Sequence, residues 1–158
     1  MRIVGIDPGT ATTGWGIVDH THQAVTLVDY GIIATSPTKS LSERLETIFT
    51  DLSKLIEKYK PERFAVEQVY FNTNAKTALL VGHARGVILL CAQRHKLEVT
   101  TYTPLQVKLA TTGYGKADKK QIQSMVQRLL KLKVLPKPDD AADALAVAIT
   151  ECHTLRMK

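Results

Sequence analysis

The sequence contains little cysteine, few aromatic residues and no recognisable targeting segment. Of its 158 residues two are cysteines, Cys91 and Cys152, and 6% are Phe, Trp or Tyr. Two cysteines so far apart form neither a disulfide framework nor a zinc site of the usual spacing, which excludes a disulfide-stabilised scaffold and favours a reducing cytoplasm. The first residues lack the basic-then-apolar order of a signal peptide. We also predict no apolar stretch of the roughly 18 residues that a membrane span needs.

The residues that are present suffice for one packed domain over positions 1–158. Hydrophobic residues make up 44% of the chain and charged residues 23%, which is typical of a globular protein. The length is also close to that of a single domain. Since we find no internal repeat, low-complexity tract or linker, a single-domain cytoplasmic protein is expected.

Positive charge is concentrated in the middle of the chain. The whole sequence has 21 Lys and Arg against 15 Asp and Glu, a net charge of +6. Positions 68–138 hold 12 of the basic residues and two acidic ones, whereas both flanks are slightly acidic. Such a segment favours a polyanionic partner such as nucleic acid. The alternative is that lysines such as Lys131 and Lys133 only solubilise a helix end.

The hydrophobic pattern predicts an α/β fold in the order βββαβαβααα. Ser40 and Glu43 form a capping-box pattern that begins an amphipathic helix, and Pro61 ends it. Three consecutive apolar runs near the N-terminus favour an antiparallel meander. The predicted strands are 2–7, 14–19, 24–35, 63–69 and 98–102, and the predicted helices are 41–59, 75–95, a short one from Pro104, 119–131 and one from about Pro138 onwards. We therefore expect a mixed five-stranded sheet flanked by helices.

Four carboxylates occupy positions where acidic residues are uncommon. Asp7 ends an apolar strand, and Glu67 lies within the strand pattern FAVEQV, where a lone buried carboxylate is costly. Asp140 and Asp143 are three residues apart and share one face of an alanine-rich helix. Each residue has an ordinary explanation: a turn for Asp7, a core ion pair for Glu67, and a favourable helix dipole for the last two.

Taken together, the four carboxylates predict a metal site. The ends of the first and fourth strands can be neighbours in this layout, and a helix can bring two more acids to the same place. Carboxylate oxygens select Mg²⁺ or Mn²⁺, and two such ions about 4 Å apart can activate water at a phosphodiester. An acidic metal site within a basic chain indicates a nuclease.

The stretches that contain these residues resemble the RuvC family of bacterial Holliday junction resolvases. The matching segments are GIDPGTATTGWGIV at 5–18, AVEQVYFNTNAKTALLVGHARGV at 65–87, QVKLATTGYGKADKKQI at 106–122 and DDAADALAVAIT at 139–150. The resemblance implies a ribonuclease-H-like fold and a homodimer that nicks two symmetric strands of a four-way DNA junction during recombination and repair. It also implies two Mg²⁺ ions per active site, replaceable by Mn²⁺, products with 5′-phosphate ends, and a branch-migration helicase complex as a partner.

The resemblance also assigns the four carboxylates. By motif position the family's catalytic and metal-binding acids are Asp7, Glu67, Asp140 and Asp143. Asp7 would contact both ions, Glu67 one of them, and the two helix residues the other. The last family position is His in some members and Asp143 here. Asp139 adds an acid outside the pattern, which we regard as peripheral.

Four further residues are predicted to contact DNA. Lys108 and Lys119 match family lysines near the site. Tyr70 matches the family's aromatic residue after the fourth strand, which can stack on an unpaired base. Lys116, in the motif GYGK, is a predicted phosphate contact. The alternatives are ordinary surface positions for the lysines and simple packing for Tyr70 and its neighbour Phe71.

The helix 75–95 is apolar in too many directions for one buried stripe, which predicts that its second face joins a partner chain. Gly82 and Gly86 would allow two such helices to approach closely.

Three other functions are possible from the sequence. The first is an actin-like or sugar-kinase ATPase, because IDPGTATTG resembles the first phosphate loop of those proteins. The others are an RNA-processing nuclease of the same fold and a non-catalytic junction-binding protein. The ATPase would need two domains, and this chain has the length of one. The full-length motif match argues against the RNA-processing nuclease, and the four intact carboxylates argue against a non-catalytic protein.

Overall fold

Five strands and five helices follow one another in the predicted order within the computed structural model, which describes residues 1–70 and 75–156. The strands are β1 Arg2–Asp7, β2 Thr12–His20, β3 Val25–Ala34, β4 Arg63–Glu67 and β5 Glu98–Tyr102. The helices are α1 Leu41–Tyr59, α2 Ala75–Arg94, α3 Pro104–Thr112, α4 Lys119–Leu129 and α5 Asp139–Arg156. The predicted capping box of Ser40 and Glu43 is present at the start of α1.

The strands form one mixed sheet in the order β3-β2-β1-β4-β5. The first three strands are the predicted antiparallel meander. β4 lies parallel to β1 with Ile6 opposite Val66, so the residues that follow, Asp7 and Glu67, emerge side by side at one edge of the sheet. The predicted five-stranded mixed sheet is confirmed, and its strand order makes neighbours of the two carboxylates.

Helices cover both faces of the sheet, and each face has its own core. On one face α5 packs against β1 and β2 and is flanked by α3 and α4, with Leu145 and Ile149 fully buried. On the other face α1 and α2 enclose a second core that includes Leu52, Phe64 and Ile88. The two cores fix the sheet between layers of helices, which leaves the strand ends at its edge to form a site.

The helix α5 lies in contact with the backbone of the sheet. A Cβ atom added to Gly5 would overlap the carbonyl oxygen of Ala144, and one added to Gly14 would overlap the carbonyl oxygen of Asp140. Nine consecutive residues of the helix, from Ala144 to Cys152, are buried. The close packing expected from the alanine-rich sequence is therefore present, and it depends on the two glycines.

Two expectations need correction. Glu67 is the last residue of β4 and not an interior strand residue, because the strand ends there instead of at position 69. Within the described residues α2 is long and apolar enough to cross a membrane by length and composition, a test that core helices also pass. The prediction that no such stretch exists was wrong, because a few charges and polar residues leave this helix apolar on average.

Candidate active site

The four predicted carboxylates come from three elements that meet at one edge of the sheet. Asp7 and Glu67 end the parallel strands β1 and β4. Asp140 and Asp143 lie in the first turns of α5. The contact between this helix and β2 places them, because Gly14 pairs with Asp7 in the sheet and lies against the backbone of Asp140.

Burial and mutual repulsion raise the pKa of three of these carboxyl groups. The pKa of Asp7 is raised to about 8, first by burial and then by the charges of Glu67, Asp143 and Asp140. Burial and Asp143 raise the pKa of Glu67 to about 7, while its hydrogen bond with the Asp7 side chain acts in the opposite direction. Burial also raises the pKa of Asp143. Crowded acids of this kind require either protons or a cation between them.

The structure brings two of the predicted lysines to this cluster. Lys119 lowers the pKa of Asp7, Glu67 and Asp143, and Lys108 lowers the pKa of the last two. Both lysines line a cavity of about 380 Å³ together with Glu67 and Asp143. The cavity therefore combines acidic groups that suit a cation with basic groups that suit a phosphate.

The chemistry of the four side chains fits Mg²⁺ or Mn²⁺. Every candidate ligand is a carboxylate oxygen, the hard donor that these ions prefer. In residues 1–70 and 75–156, no three His, Cys, Asp or Glu side chains are grouped closely enough to form a finished metal site. The charge of Glu67 raises the pKa of Asp7, as expected for acids crowded without an ion between them. The donor set is therefore suitable in kind for a divalent cation.

Arg85 is a residue at the site that the sequence reasoning missed. Its Nε donates to the main-chain oxygen of Glu67 at 3.3 Å, and its Nη2 donates to Thr101 Oγ1 at 3.2 Å. The guanidinium thus ties α2 to the ends of β4 and β5 and supports the backbone that carries Glu67. The available signal was a lone arginine in the middle of an apolar helix, where a charged side chain needs a specific partner.

The other predicted DNA contacts lie outside the carboxylate cluster. Tyr70 is 49% exposed and follows Glu67 by three residues. Lys116 is exposed and does not line the cavity of Lys108 and Lys119. Phe71, for which simple packing is the alternative prediction, lies outside the described residues. Exposure leaves Tyr70 and Lys116 free to meet a ligand, and their roles stay predictions.

In the absence of divalent ions, the stability of the protein should fall as the pH rises from about 4 to about 8. In this window folded Asp7 still holds its proton while an unfolded aspartate has lost it, so the unfolding free energy decreases with pH. Asp7→Asn removes this penalty and should raise the Tm at pH 8 by at least about 5 °C, and by less at pH 5. Thermal unfolding in EDTA at a series of pH values measures both curves.

The control for this prediction is Asp139→Asn. Asp139 is exposed, and its Oδ1 accepts a hydrogen bond from Gln123 Nε2 at 2.8 Å. Its charge acts on Asp143 and is not among those that raise the pKa of Asp7. The variant should retain the wild-type dependence of Tm on pH. If Tm depends on pH in the same way in the wild type and in Asp7→Asn, the pKa of Asp7 is not raised in the folded protein.

Comparison with known proteins agrees with the geometry of the site. The family model described as crossover junction endodeoxyribonuclease RuvC matches residues 3–153. A protein of that name from Fusobacterium nucleatum is 52% identical over 158 residues, which cover 100% of this chain and 83% of the relative. Another from Alkaliphilus oremlandii is 54% identical over 154 residues, which cover 98% of this chain and 94% of the relative.

The fold is also similar to solved structures. The structure of Thermus thermophilus RuvC in complex with Holliday junction substrate superposes with a TM-score of 0.93 at 35% sequence identity. The match covers 99% of this chain and 96% of the other. The expected ribonuclease-H-like fold and the family resemblance are both confirmed.

Proposed function

Because the chain belongs to the RuvC family of crossover junction endodeoxyribonucleases, we propose that it resolves Holliday junctions at the site formed by Asp7, Glu67, Asp140 and Asp143. The observation that carries this proposal is the convergence of these half-buried acids beside Lys108 and Lys119. We further propose that positions 1–158 act as one nuclease domain on DNA in the cytoplasm.

The residues divide into ligands and phosphate contacts. Asp7, central in the cluster, would contact two Mg²⁺ ions, Glu67 one of them, and Asp140 with Asp143 the other; Mn²⁺ would substitute. Such ions, when bound, activate water and stabilise the leaving oxygen of a phosphodiester. The pKa of Asp7 is raised to about 8 and that of Glu67 to about 7, so both must lose protons before they can act as ligands, and activity should rise with pH through the neutral range.

The lysines complete the site on the substrate side. Lys108 and Lys119 face the cavity that Glu67 and Asp143 line, so each can hold a backbone phosphate next to the acids. They also reduce the repulsion among the carboxylates. Because activated water would be the nucleophile, cleavage of the phosphodiester would leave a 5′-phosphate and a 3′-hydroxyl without a covalent enzyme intermediate.

Lys108→Ala should reduce cleavage about 10- to 100-fold while junction affinity changes less than about threefold, because one contact near the reacting phosphate acts mainly in the transition state. Single-turnover cleavage and gel-shift titration of the same labelled junction measure the two effects. The matched control is Lys116→Ala, which removes a lysine that does not line the cavity and should leave single-turnover cleavage unchanged at saturation. Equal losses of affinity and rate in Lys108→Ala would contradict a role at the scissile phosphate.

Tyr70 provides an aromatic surface next to the acidic site. Its ring is half exposed and follows the strand that ends at Glu67. An exposed ring at this place would stack on a base that is unpaired at the crossover, an interaction of about 1–3 kcal/mol per base. Base stacking by Tyr70 would therefore help to open the junction at the strand that is cut.

A second copy of the chain is proposed to bind along α2. Leu79 and Leu90 are 58% and 55% exposed, and nothing lies within 4 Å of a Cβ added to Gly82 or Gly86. The helix therefore has an apolar face without cover in the described chain and room for another helix to approach. A twofold dimer would present two identical sites to two symmetric strands. A branch-migration helicase complex is the further partner that we propose.

Leu90→Glu should dissociate the dimer, because it places a charge in an apolar contact. We expect the dimer Kd to rise at least about 100-fold, measured by sedimentation equilibrium. Val134→Glu is the matched control, since Val134 is 69% exposed in a segment outside α2. A wild type that stays monomeric at micromolar concentration would contradict the dimer.

A substrate panel tests the proposed function. Labelled four-way DNA, linear duplex DNA and duplex RNA are incubated with the protein, with and without Mg²⁺, and ATP hydrolysis is measured in parallel. Metal-dependent cleavage of the four-way DNA alone is the expected result. Cleavage of RNA would identify an RNA-processing nuclease, ATP turnover a kinase-like enzyme, and binding without cleavage a junction-binding protein.

A further inference from the structure

The four carboxylates divide between two cavities, and the second has a basic residue of its own. Glu67 and Asp143 line the cavity of the two lysines. Asp7 and Asp140 line another cleft, of about 300 Å³, together with the turn that follows β1, part of α2 and Arg44. Arg44 is the basic residue among the described residues that line this cleft.

The side chain of Arg44 is held in place by a relay of hydrogen bonds. Its Nε donates to Thr35 Oγ1 at 2.8 Å, and Thr35 Oγ1 donates in turn to the carbonyl oxygen of Thr10 at 2.6 Å. Thr10 anchors the same turn to α2 through a hydrogen bond to the carbonyl oxygen of Leu80. A guanidinium fixed at Nε is preorganised, so little side-chain freedom is lost when its remaining nitrogens bind a ligand.

The rest of the Arg44 guanidinium has no partner among residues 1–70 and 75–156. Arg44 takes part in none of their ion pairs, and its hydrogen bond uses Nε alone. Among the charges that shift the pKa of Asp7, the cation is Lys119 and not Arg44. Two parallel N–H donors therefore stay available to an anion in the cleft, and their spacing matches two oxygens of a phosphate.

We propose that Arg44 binds a backbone phosphate of the DNA strand that is cut, in the cleft on the Asp7 and Asp140 side of the cluster. The strand then passes over the acids with one phosphate held by Lys108 and Lys119 and another by Arg44. This inference rests on the proposed function, because it names a further contact for the same substrate. The hydrogen bonds from Arg44 through Thr35 to Thr10 would then fix the position of the DNA strand relative to Asp7.

The test compares Arg44→Ala and Arg44→Gln with Arg44→Lys in junction binding without cleavage, in EDTA. The neutral variants should weaken binding about 5- to 20-fold and lower the slope of log affinity against log salt by about 0.9, the contribution of one phosphate contact. Arg44→Lys keeps the charge and should retain the slope with a smaller loss of affinity. Lys54→Ala, on the same helix α1 and paired with Asp51 at the surface, should match the wild type.

Single methylphosphonate substitutions along the cut strand locate the contact. At one position, the methylphosphonate should weaken junction binding by the wild type but not by Arg44→Gln, which marks the phosphate that Arg44 contacts. The phosphate that Lys108 contacts, identified in the same way with Lys108→Ala, should lie at a different position. Thermal unfolding confirms that each variant is folded, and Arg44→Gln retains a donor for Thr35. Unchanged salt slopes and methylphosphonate profiles in both neutral variants would overturn the assignment of Arg44. A wild type that neither binds nor cuts the junction would instead overturn the proposed function.

Discussion

Asp7→Asn is expected to reduce junction cleavage about a thousandfold or more while junction binding persists, because Asp7 is the proposed ligand of both divalent ions. Asp7 lies in the middle of the cluster, with Glu67, Asp143 and Asp140 all close enough to raise its pKa. An asparagine has nearly the same shape and removes one charge from the crowded acids, so the fold should be retained. The loss should therefore appear in the rate and not in affinity.

Two further variants test this result: Glu67→Gln removes a second proposed ligand, and Asp139→Asn is the control. Glu67→Gln should behave like Asp7→Asn, since Glu67 is a proposed ligand of one of the same ions and its charge raises the pKa of Asp7. Asp139→Asn removes an equal charge next to Asp140. Because the Asp139 side chain is hydrogen bonded to Gln123, this variant should cut the junction at the wild-type rate. Single-turnover cleavage and gel-shift titration of all three variants provide the comparison. Normal cleavage by Asp7→Asn would rule out the proposed metal site.

Gly14→Ala should lower both stability and activity. The added methyl group would overlap the carbonyl oxygen of Asp140, so α5 must move away from β2 at the end that carries two of the carboxylates. Overpacking of this kind costs about 1–3 kcal/mol, measurable by urea unfolding. The molecules that stay folded should cut at least about tenfold more slowly, because misplaced catalytic groups lose most of their effect.

Gly5→Ala separates the two effects. An added methyl group at Gly5 overlaps the carbonyl oxygen of Ala144 and the amide of Ala148, further along the same helix. Gly5→Ala should therefore lose a similar amount of stability. Its folded molecules should keep more activity than those of Gly14→Ala, because the overlap lies further from Asp140. Equal activity per folded molecule in the two variants would contradict the proposed link between Gly14 and Asp140.

The sequence predicts features that depend on local chemistry. The capping box at Ser40, the helix that it begins and the strand order in sequence are all found, because turn residues and apolar periodicity act over a few positions. The proximity of Asp7 and Glu67 followed from two strand ends and the family motifs. The expectation that no membrane-length apolar stretch exists fails at α2, because its few charged residues leave the helix apolar on average.

The features that were missed depend on contacts between distant residues. Arg85 contacts the backbone of Glu67, and Arg44 is fixed by Thr35. Glu151 is 2% exposed and accepts a hydrogen bond from the Tyr102 hydroxyl at 2.5 Å. No spacing rule links a helix arginine to a strand end or a helix carboxylate to a tyrosine. Only the packed sheet and helices bring these groups together.

Calorimetric titration of Mn²⁺ into wild type, Asp7→Asn and Asp139→Asn tests most directly whether the four carboxylates form one divalent-metal site. The wild type and Asp139→Asn should each bind two Mn²⁺ ions per chain with the same affinity. Asp7→Asn should lose this binding while it unfolds at a higher temperature in EDTA. Mn²⁺ binding by Asp7→Asn at the wild-type level, or its loss in Asp139→Asn, would show that the metal site lies elsewhere in the chain.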